Sequence, residues 1–314
     1  MKTGQVVGAG RPGLAHGVAF FGRKDEAVHT EGALRTSAGP EALTKAEYDR
    51  FWRDGYLVLP PLSPPEEVAH LVGLYDGMFA RAAGRAEGDY FDFASAEGST
   101  RAPSVPQVLN PSRYEPTFAE TAFRVQAAAI ARQLLGPRAE LVFEHAMLKP
   151  PRSGGPTPWH QDEAFYSVLN NFRSITFWMP LQDVALENGC MRFVPGSHRG
   201  PLLEHRAIGN DPRVHGLEAI GVALDAGVVC PLPAGAATVH ECGTLHSAGP
   251  NLSDVPRRAY AVAFGVKSWR NVQWREHPWK RAQNTAHGNR SRRLRTPKEK
   301  LKGTIGSLLG LVLR

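Results

Sequence analysis

The chain has few cysteines: Cys190, Cys230 and Cys242 are the three in 314 residues. Their number is odd and no Cys-x-x-Cys spacing occurs. This argues against a disulfide framework and for a reducing, cytoplasmic setting, with the thiols serving as small buried apolar side chains. Long apolar runs are also missing. Nothing approaches the ~18 residues of a membrane span, and Gly4 and Gln5 interrupt the stretch after Lys2 that a signal peptide would need. No segment recurs at a fixed period. What remains is ordinary for a globular protein: 42% hydrophobic and 21% charged residues. The length is enough for a full core without disulfides or a structural metal. The net charge of +7 is unevenly placed. From Arg270 to Arg314 there are twelve Lys/Arg against two Asp/Glu, which is +10, leaving 7 − 10 = −3 for the rest. The basic character therefore belongs to the tail and says little about an active site.

Residues 1–42 are Gly-rich, without apolar periodicity, and read as a poorly ordered extension. Three helix starts follow. Thr44 and Glu47 form a capping-box pattern. Ser63-Pro64-Pro65-Glu66 places Ser at a cap and Pro at the first helical position, with Val68, Leu71, Val72 and Tyr75 as the apolar stripe. Thr117 and Glu120 open a third helix, with Phe123, Ile130, Leu134 and Leu135 on its apolar side, ended by Gly136-Pro137. After residue 138 the period changes to two. Ile175, Phe177, Met179 and Leu181 alternate with Thr176, Trp178 and Pro180, and shorter runs occur at 140–149, 190–195, 235–240 and 257–266. Many short strands punctuated by Gly, Pro, Asn and Asp predict a sandwich, barrel or jelly roll. The expected organisation is an extension at 1–42, a mostly β domain with flanking helices at 43–269, and a basic tail at 270–314.

The chemistry concentrates in Thr157-Pro158-Trp159-His160-Gln161-Asp162-Glu163. On an extended strand His160 and Asp162, two apart, point to one face, so an imidazole and a carboxylate can converge on one cation. A third ligand must come from elsewhere. His246, in Cys242-Gly243-Thr244-Leu245-His246-Ser247-Ala248-Gly249, ends a short strand-like run. Two His and one carboxylate on one face leave three positions open on iron, the arrangement of non-haem Fe(II) oxygenases. Alone, a His-x-Asp tripeptide also fits a surface turn or a packed histidine. His198, in Pro195-Gly196-Ser197-His198, reads as a turn residue. His240 lacks a carboxylate at ligand spacing and reads as structural, and His145 is a weaker pocket candidate.

The order and spacing of several pieces resemble the phytanoyl-CoA dioxygenase family over residues 43–267. These are Leu43-Thr44-Lys45-Ala46-Glu47 with Phe51 and Gly55-Tyr56-Leu57-Val58-Leu59, then Lys149-Pro150-Pro151 ahead of His160-Gln161-Asp162. Glu187-Asn188-Gly189-Cys190-Met191, Val194-Pro195-Gly196-Ser197-His198, and His246 with Arg257 eleven residues later complete the set. The resemblance implies a double-stranded β-helix (a cupin-like jelly roll). It also implies Fe(II) held by His160, Asp162 and His246, 2-oxoglutarate and O2 as cosubstrates, a small-molecule substrate, and hydroxylation or a related oxidation. The far carboxylate of 2-oxoglutarate needs a fixed cation, and the planar fork of Arg suits it better than Lys. Arg257 and Arg258 are adjacent on a strand and face opposite sides. Arg257 shares parity with Ala259, Ala261 and Ala263, a face that leaves room for a ligand. By similarity Gln107 and Trp178 also touch the cosubstrate, with Ser247 as a further hydroxyl. Here the chain departs from relatives that carry Ser two residues after the distal His, because it has Ala248 there. Phe165 and Tyr166 are candidates for the substrate mouth.

Rival readings are a radical halogenase, a desaturase or epoxidase, a non-catalytic relative, and a cupin-type binding protein. A halogenase would need a small residue where Asp162 stands, and a cupin would usually carry His-x-His followed by Glu, which is absent. In the tail, seven Lys/Arg between Arg290 and Lys302 precede Ile305, Leu308, Leu309 and Val312, one face of a short helix. Such a segment can dock on the domain, or lie peripherally on an anionic membrane. Contact with nucleic acid is the least favoured reading, because no aromatics accompany the charges after Trp279.

Overall fold

The computed structural model describes residues 42–152, 155–166, 171–223, 227–268, 277–286 and 288–289. The expected N-terminal extension, the basic run and the terminal amphipathic segment lie outside these residues. Helix α1 (Lys45–Asp54) starts as its sequence demands. Thr44 accepts from the Glu47 amide while the Glu47 carboxylate accepts from the Thr44 amide, and Gly55 ends the helix at φ 84°. Helix α2 (Pro65–Ala80) begins one residue later than the Ser-Pro-Pro-Glu pattern predicts. Pro64 is the cap and Pro65 the first helical residue, and the Ser63 hydroxyl instead bonds Glu67 at 2.5 Å. The start of α3 (Ala122–Leu135) is also corrected. Thr117 lies in a single 3-10 turn over Pro116–Ala119, and Thr121 is the cap, accepting from the Arg124 amide. Pro116 sets that turn's first φ, so the chain turns once before the true cap.

Two antiparallel sheets form the core of the fold. The larger contains seven strands. In spatial order they are β1 (Tyr56–Leu59), β11 (Ala237–Glu241), β6 (Asn171–Pro180), β13 (Arg257–Ser268), β4 (Glu140–Lys149), β3 (Pro106–Leu109) and β2 (Tyr90–Asp92). The smaller sheet runs β10 (Val228–Cys230), β7 (Met191–Phe193), β12 (His246–Ala248) and β5 (Thr157–His160). A separate pair joins β8 (His205–Ala207) to β9 (Leu217–Ala219). The four-residue rule of alternation assigns the two faces of the large sheet. Ile175, Phe177 and Met179 of β6, Val239 of β11 and Tyr260, Val262 and Phe264 of β13 pack with Leu71, Tyr75 and Met78 of α2 and with Phe123, Ile130 and Leu134 of α3. The helices thus seal the outer face. The inner face faces the small sheet, where Trp178, Ala236, Ala259 and Ala261 meet Cys190, Met191, Phe193, Cys230 and Ala248. The three cysteines are free and buried, as their use as apolar packing predicts. This is the jelly roll that the short alternating runs anticipate. Among the described residues no helix is long and apolar enough to cross a membrane.

Candidate metal and cosubstrate site

The mouth of the two-sheet sandwich gathers the sequence-distant His and Asp residues. His160 closes β5, His246 opens β12, and the two are direct cross-strand partners. Their rings lie 4.2 Å apart between centroids. Just past His160 the chain enters a 3-10 turn, Asp162–Phe165, which swings the carboxylate back beneath both rings. Asp162 Oδ1 lies 3.6 Å from His246 Nε2 and 3.9 Å from His160 Nε2. One ligand atom from each residue fits within 4.8 Å of the others, a spacing that could hold a metal ion.

Backbone carbonyls orient both imidazoles. His160 Nδ1 is 2.8 Å from the Pro158 carbonyl, and His246 Nδ1 is 2.8 Å from the Thr244 carbonyl. A carbonyl only accepts, so Nδ1 carries the proton in each ring and the Nε2 lone pair is left facing Asp162. Burial lowers the pKa of both rings, which keeps them neutral. Burial alone would raise the Asp162 carboxyl, but the ring of His246 and the hydrogen bond from His240 outweigh it, holding the group well below the usual carboxylate range. Two neutral imidazoles beside one carboxylate are the protonation states that a divalent cation requires.

The second oxygen of Asp162 is engaged elsewhere. Thr176 Oγ1 donates to Oδ2 at 2.7 Å, and His240 Nε2 lies 3.2 Å from the same atom. Thr176 on β6 and His240 on β11 are cross-strand partners on the inner face. The sequence reading of His240 as structural is therefore incomplete, because its carboxylate partner sits 78 residues away in the chain. The available signal was parity: His240 falls two residues from Thr238, and Thr176 two from Trp178, on the face that β6 and β11 share.

Deeper along the same face stands Arg257. It is 2% exposed, and its Nε and Nη1 are buried without any hydrogen-bond partner. Its guanidinium carbon lies 5.5 Å from the Trp178 ring centre. Burial lowers its pKa to about 10, which leaves it charged at neutral pH. A buried cation with unpaired donors costs several kcal/mol unless an anion joins it, and no described carboxylate lies within ion-pair distance. The donor set and the alanine-lined space around it fit a ligand carboxylate. Arg258 faces the other way, as strand alternation predicts, and pairs with Asp76 at 2.7 and 2.8 Å. Lys149, the cross-strand partner of Arg257, is fully buried and donates to the carbonyls of Ala248 (3.1 Å) and Gly249. It ties the strand that carries His246 to the strand beside Arg257, a task not apparent from Lys149-Pro150-Pro151 as a motif.

The remaining candidates divide. Gln107 on β3 is buried, and its Oε1 lies 3.1 Å from His145 Nδ1. His145 occupies the same β4 face, opposite Ala261, so the weaker pocket candidate lies on the inner face. Burial depresses its pKa to about 4. Ser247 is buried but alternates to the face opposite His246 and Ala248, so its hydroxyl stands apart from the Arg257–Trp178 pair. Phe165 packs edge-on against the His160 ring at 5.8 Å, and Phe93 at 6.2 Å flanks it. The 277–286 segment closes over this rim, with Trp279 Nε1 donating to the Ala164 carbonyl at 3.1 Å.

An antiparallel double-stranded β-helix that brings two His and one Asp together at its mouth defines a non-haem iron oxygenase class. Residues 51–259 match the phytanoyl-CoA dioxygenase (PhyH) family model, and the chain belongs to that family. It is a 2-oxoglutarate-dependent dioxygenase with Fe(II) as its metal. A probable alpha-ketoglutarate-dependent hypophosphite dioxygenase of Stutzerimonas stutzeri is 30% identical over 227 residues, covering 70% of this chain and 78% of that protein. Among solved structures, EvdO2 of Micromonospora carbonacea var. aurantiaca complexed with 2-oxoglutarate is similar at 34% identity and TM-score 0.64. That match covers 76% of this chain and 96% of EvdO2. The epimerase SnoN, in complex with Fe3+, alpha ketoglutarate and nogalamycin RO, is similar at 26% identity and TM-score 0.54, covering 70% and 82% of the two chains.

Proposed function

We propose that the chain hydroxylates an unactivated C–H bond of a small molecule, with His160, Asp162 and His246 as the iron ligands and Arg257 as the seat of the cosubstrate's distal carboxylate. The observation that carries this reading is the pairing, on one inner face, of a neutral–neutral–anionic ligand set with a buried, unpartnered guanidinium. When bound, the metal supplies the activation of O2 that couples oxidative decarboxylation of 2-oxoglutarate to substrate oxidation. The residues supply position. Pro158 and Thr244 carbonyls aim the two imidazoles, Thr176 and His240 hold Asp162 so that Oδ1 alone faces them, and the Trp178 ring covers the guanidinium. Phe93 and Phe165 line the approach with apolar surface, which suits a largely apolar region of substrate beside His160.

The overall balance is one C–H bond, one O2 and one 2-oxoglutarate giving one C–OH, succinate and CO2. Asp162 fills the position that a halide would need, so oxygen rather than chlorine enters the product. With 18O2, one labelled atom is expected in succinate and one in the product. Succinate release against a panel of candidate substrates identifies the coupled one. Chlorinated product from the unaltered protein would overturn the reading. Unlabelled product with a changed stereocentre would favour instead the type of outcome that SnoN's name describes.

His240 is a positioning residue here. His240→Leu removes one of two hydrogen bonds to Asp162 Oδ2 at similar side-chain size. Outer partners of metal ligands are typically worth about 10–100-fold in metal affinity. The Fe(II) concentration giving half-maximal formation of the visible charge-transfer band with 2-oxoglutarate, measured without O2, is expected to rise by about that factor. Thr176→Val is expected to act in the same direction. Unchanged metal affinity in both variants would mean that Asp162 is fixed by its backbone turn alone.

A further inference from the structure

Among the described residues, seven buried side-chain nitrogen or oxygen atoms have no hydrogen-bond partner. Two are the Nε and Nη1 of Arg257, and a third is Thr238 Oγ1. Thr238 is completely buried in β11, so its hydroxyl has neither water nor protein to bond. Its direction follows from its strand neighbours. Ala236, two residues before, packs between the sheets. His240, two residues after, reaches Asp162. Thr238 therefore faces the same interior.

Cross-strand register arranges this interior in rows. The first row holds His240, Thr176 and Ala263, beside Asp162. The next holds Thr238, Trp178, Ala261 and His145. Two residues along a strand advance about 6.8 Å, comparable to the reach of a glutarate chain. The Arg257 side chain folds back to this second row, where its guanidinium lies over the Trp178 ring. A diacid bound at Asp162's end and at Arg257 would place its distal carboxylate in the second row, beside Thr238. Ala259 and Ala261 leave that part of the floor open.

We propose that Thr238 donates its hydroxyl hydrogen to the distal carboxylate of 2-oxoglutarate, completing with Arg257 a two-residue anion seat. This rests on the cosubstrate reading above and extends it to a residue with no motif of its own. Arg257 alone offers two parallel N–H donors. A carboxylate has further lone pairs to satisfy, and the orphaned hydroxyl is the neutral donor in its row.

Thr238→Val and Thr238→Ser test the proposal in the full-length protein, loaded with Fe(II) under nitrogen. Calorimetry would measure binding of 2-oxoglutarate and of 2-oxobutyrate, which keeps the oxo-acid end and lacks the distal carboxylate. A hydrogen bond to a charged group contributes about 1.5–3 kcal/mol, which is roughly a 10–100-fold change. Thr238→Val is expected to weaken 2-oxoglutarate by about tenfold or more while leaving 2-oxobutyrate unchanged, and Thr238→Ser is expected to stay within about threefold of the parent for both. Comparing two ligands on one sample cancels any loss of folded protein. Equal weakening of both ligands, or unchanged 2-oxoglutarate affinity in Thr238→Val, overturns the proposal. Failure of the parent protein to bind 2-oxoglutarate at all removes the cosubstrate reading itself, and is a separate result.

Discussion

Arg257→Met is expected to raise the concentration of 2-oxoglutarate needed for half-maximal turnover by about 30-fold to 1,000-fold, and Arg258→Met to leave it within about twofold. The first figure follows from the cost of leaving one partner of a buried, charge-assisted bidentate pair alone, about 2–4 kcal/mol, converted at 1.4 kcal/mol per tenfold. Methionine keeps most of the buried length and apolar stem, so packing against Trp178 changes little. The difference between the two substitutions is the sharper part of the test. Arg258 sits one residue away with the same charge, but its partner is Asp76 on the helix side. Long-range attraction to an anionic ligand would make both arginines matter, whereas a local clamp makes only Arg257 matter. Measured 2-oxoglutarate dependence of succinate formation, with thermal melts to verify folding, separates the two. Comparable effects at both positions would remove Arg257 as the clamp.

The parity of Arg257 was legible because a strand forces alternate residues apart, and three alanines at matching parity marked the open side. The same rule located His160 and Asp162 in one place, although Asp162 reaches it through a 3-10 turn rather than by continuing the strand. Helix starts were legible to within a few residues only. Several Ser, Thr and Pro residues near each boundary can serve as caps, and tertiary contacts choose among them: Ser63 bonds Glu67, leaving Pro64 as the cap. The partners of Asp162 were not legible. Thr176 and His240 come from strands 14 and 78 residues distant, and nothing local distinguishes a histidine that steadies a carboxylate from one that merely fills the core. Lys149 illustrates the same limit. Its sequence context marks a strand end, while its work, holding the Ala248 and Gly249 carbonyls, depends on a chain segment a hundred residues on.

Replacing His160, Asp162 or His246 singly by Ala is expected to abolish turnover, with at least a thousandfold loss, and to lower bound iron below one per chain. Two ligands in place of three both weaken the metal and leave the open positions undefined, so cosubstrate and O2 no longer meet the substrate in register. The fold is expected to survive. The sheets are held by the apolar layers around Phe177 and Phe193, and neither layer includes the three ligands. The three variants should nevertheless differ in stability without metal. His160→Ala and His246→Ala each delete a ring whose Nδ1 hydrogen bond to a nearby carbonyl is lost along with it. Asp162→Ala goes further, because Thr176 Oγ1 and His240 Nε2 both lose their shared acceptor in a buried setting. Yet it also relieves the metal-free protein of a buried carboxylate, and leaving polar groups unsatisfied costs about 1–3 kcal/mol each. Asp162→Ala is therefore expected to melt at the lowest temperature of the three, with the gap narrowing when Thr176→Val is added, since that substitution removes one of the stranded donors. Iron content by metal analysis, succinate release and melting temperature together decide the matter. A variant that keeps near-parent turnover at full iron content takes its residue out of the ligand set.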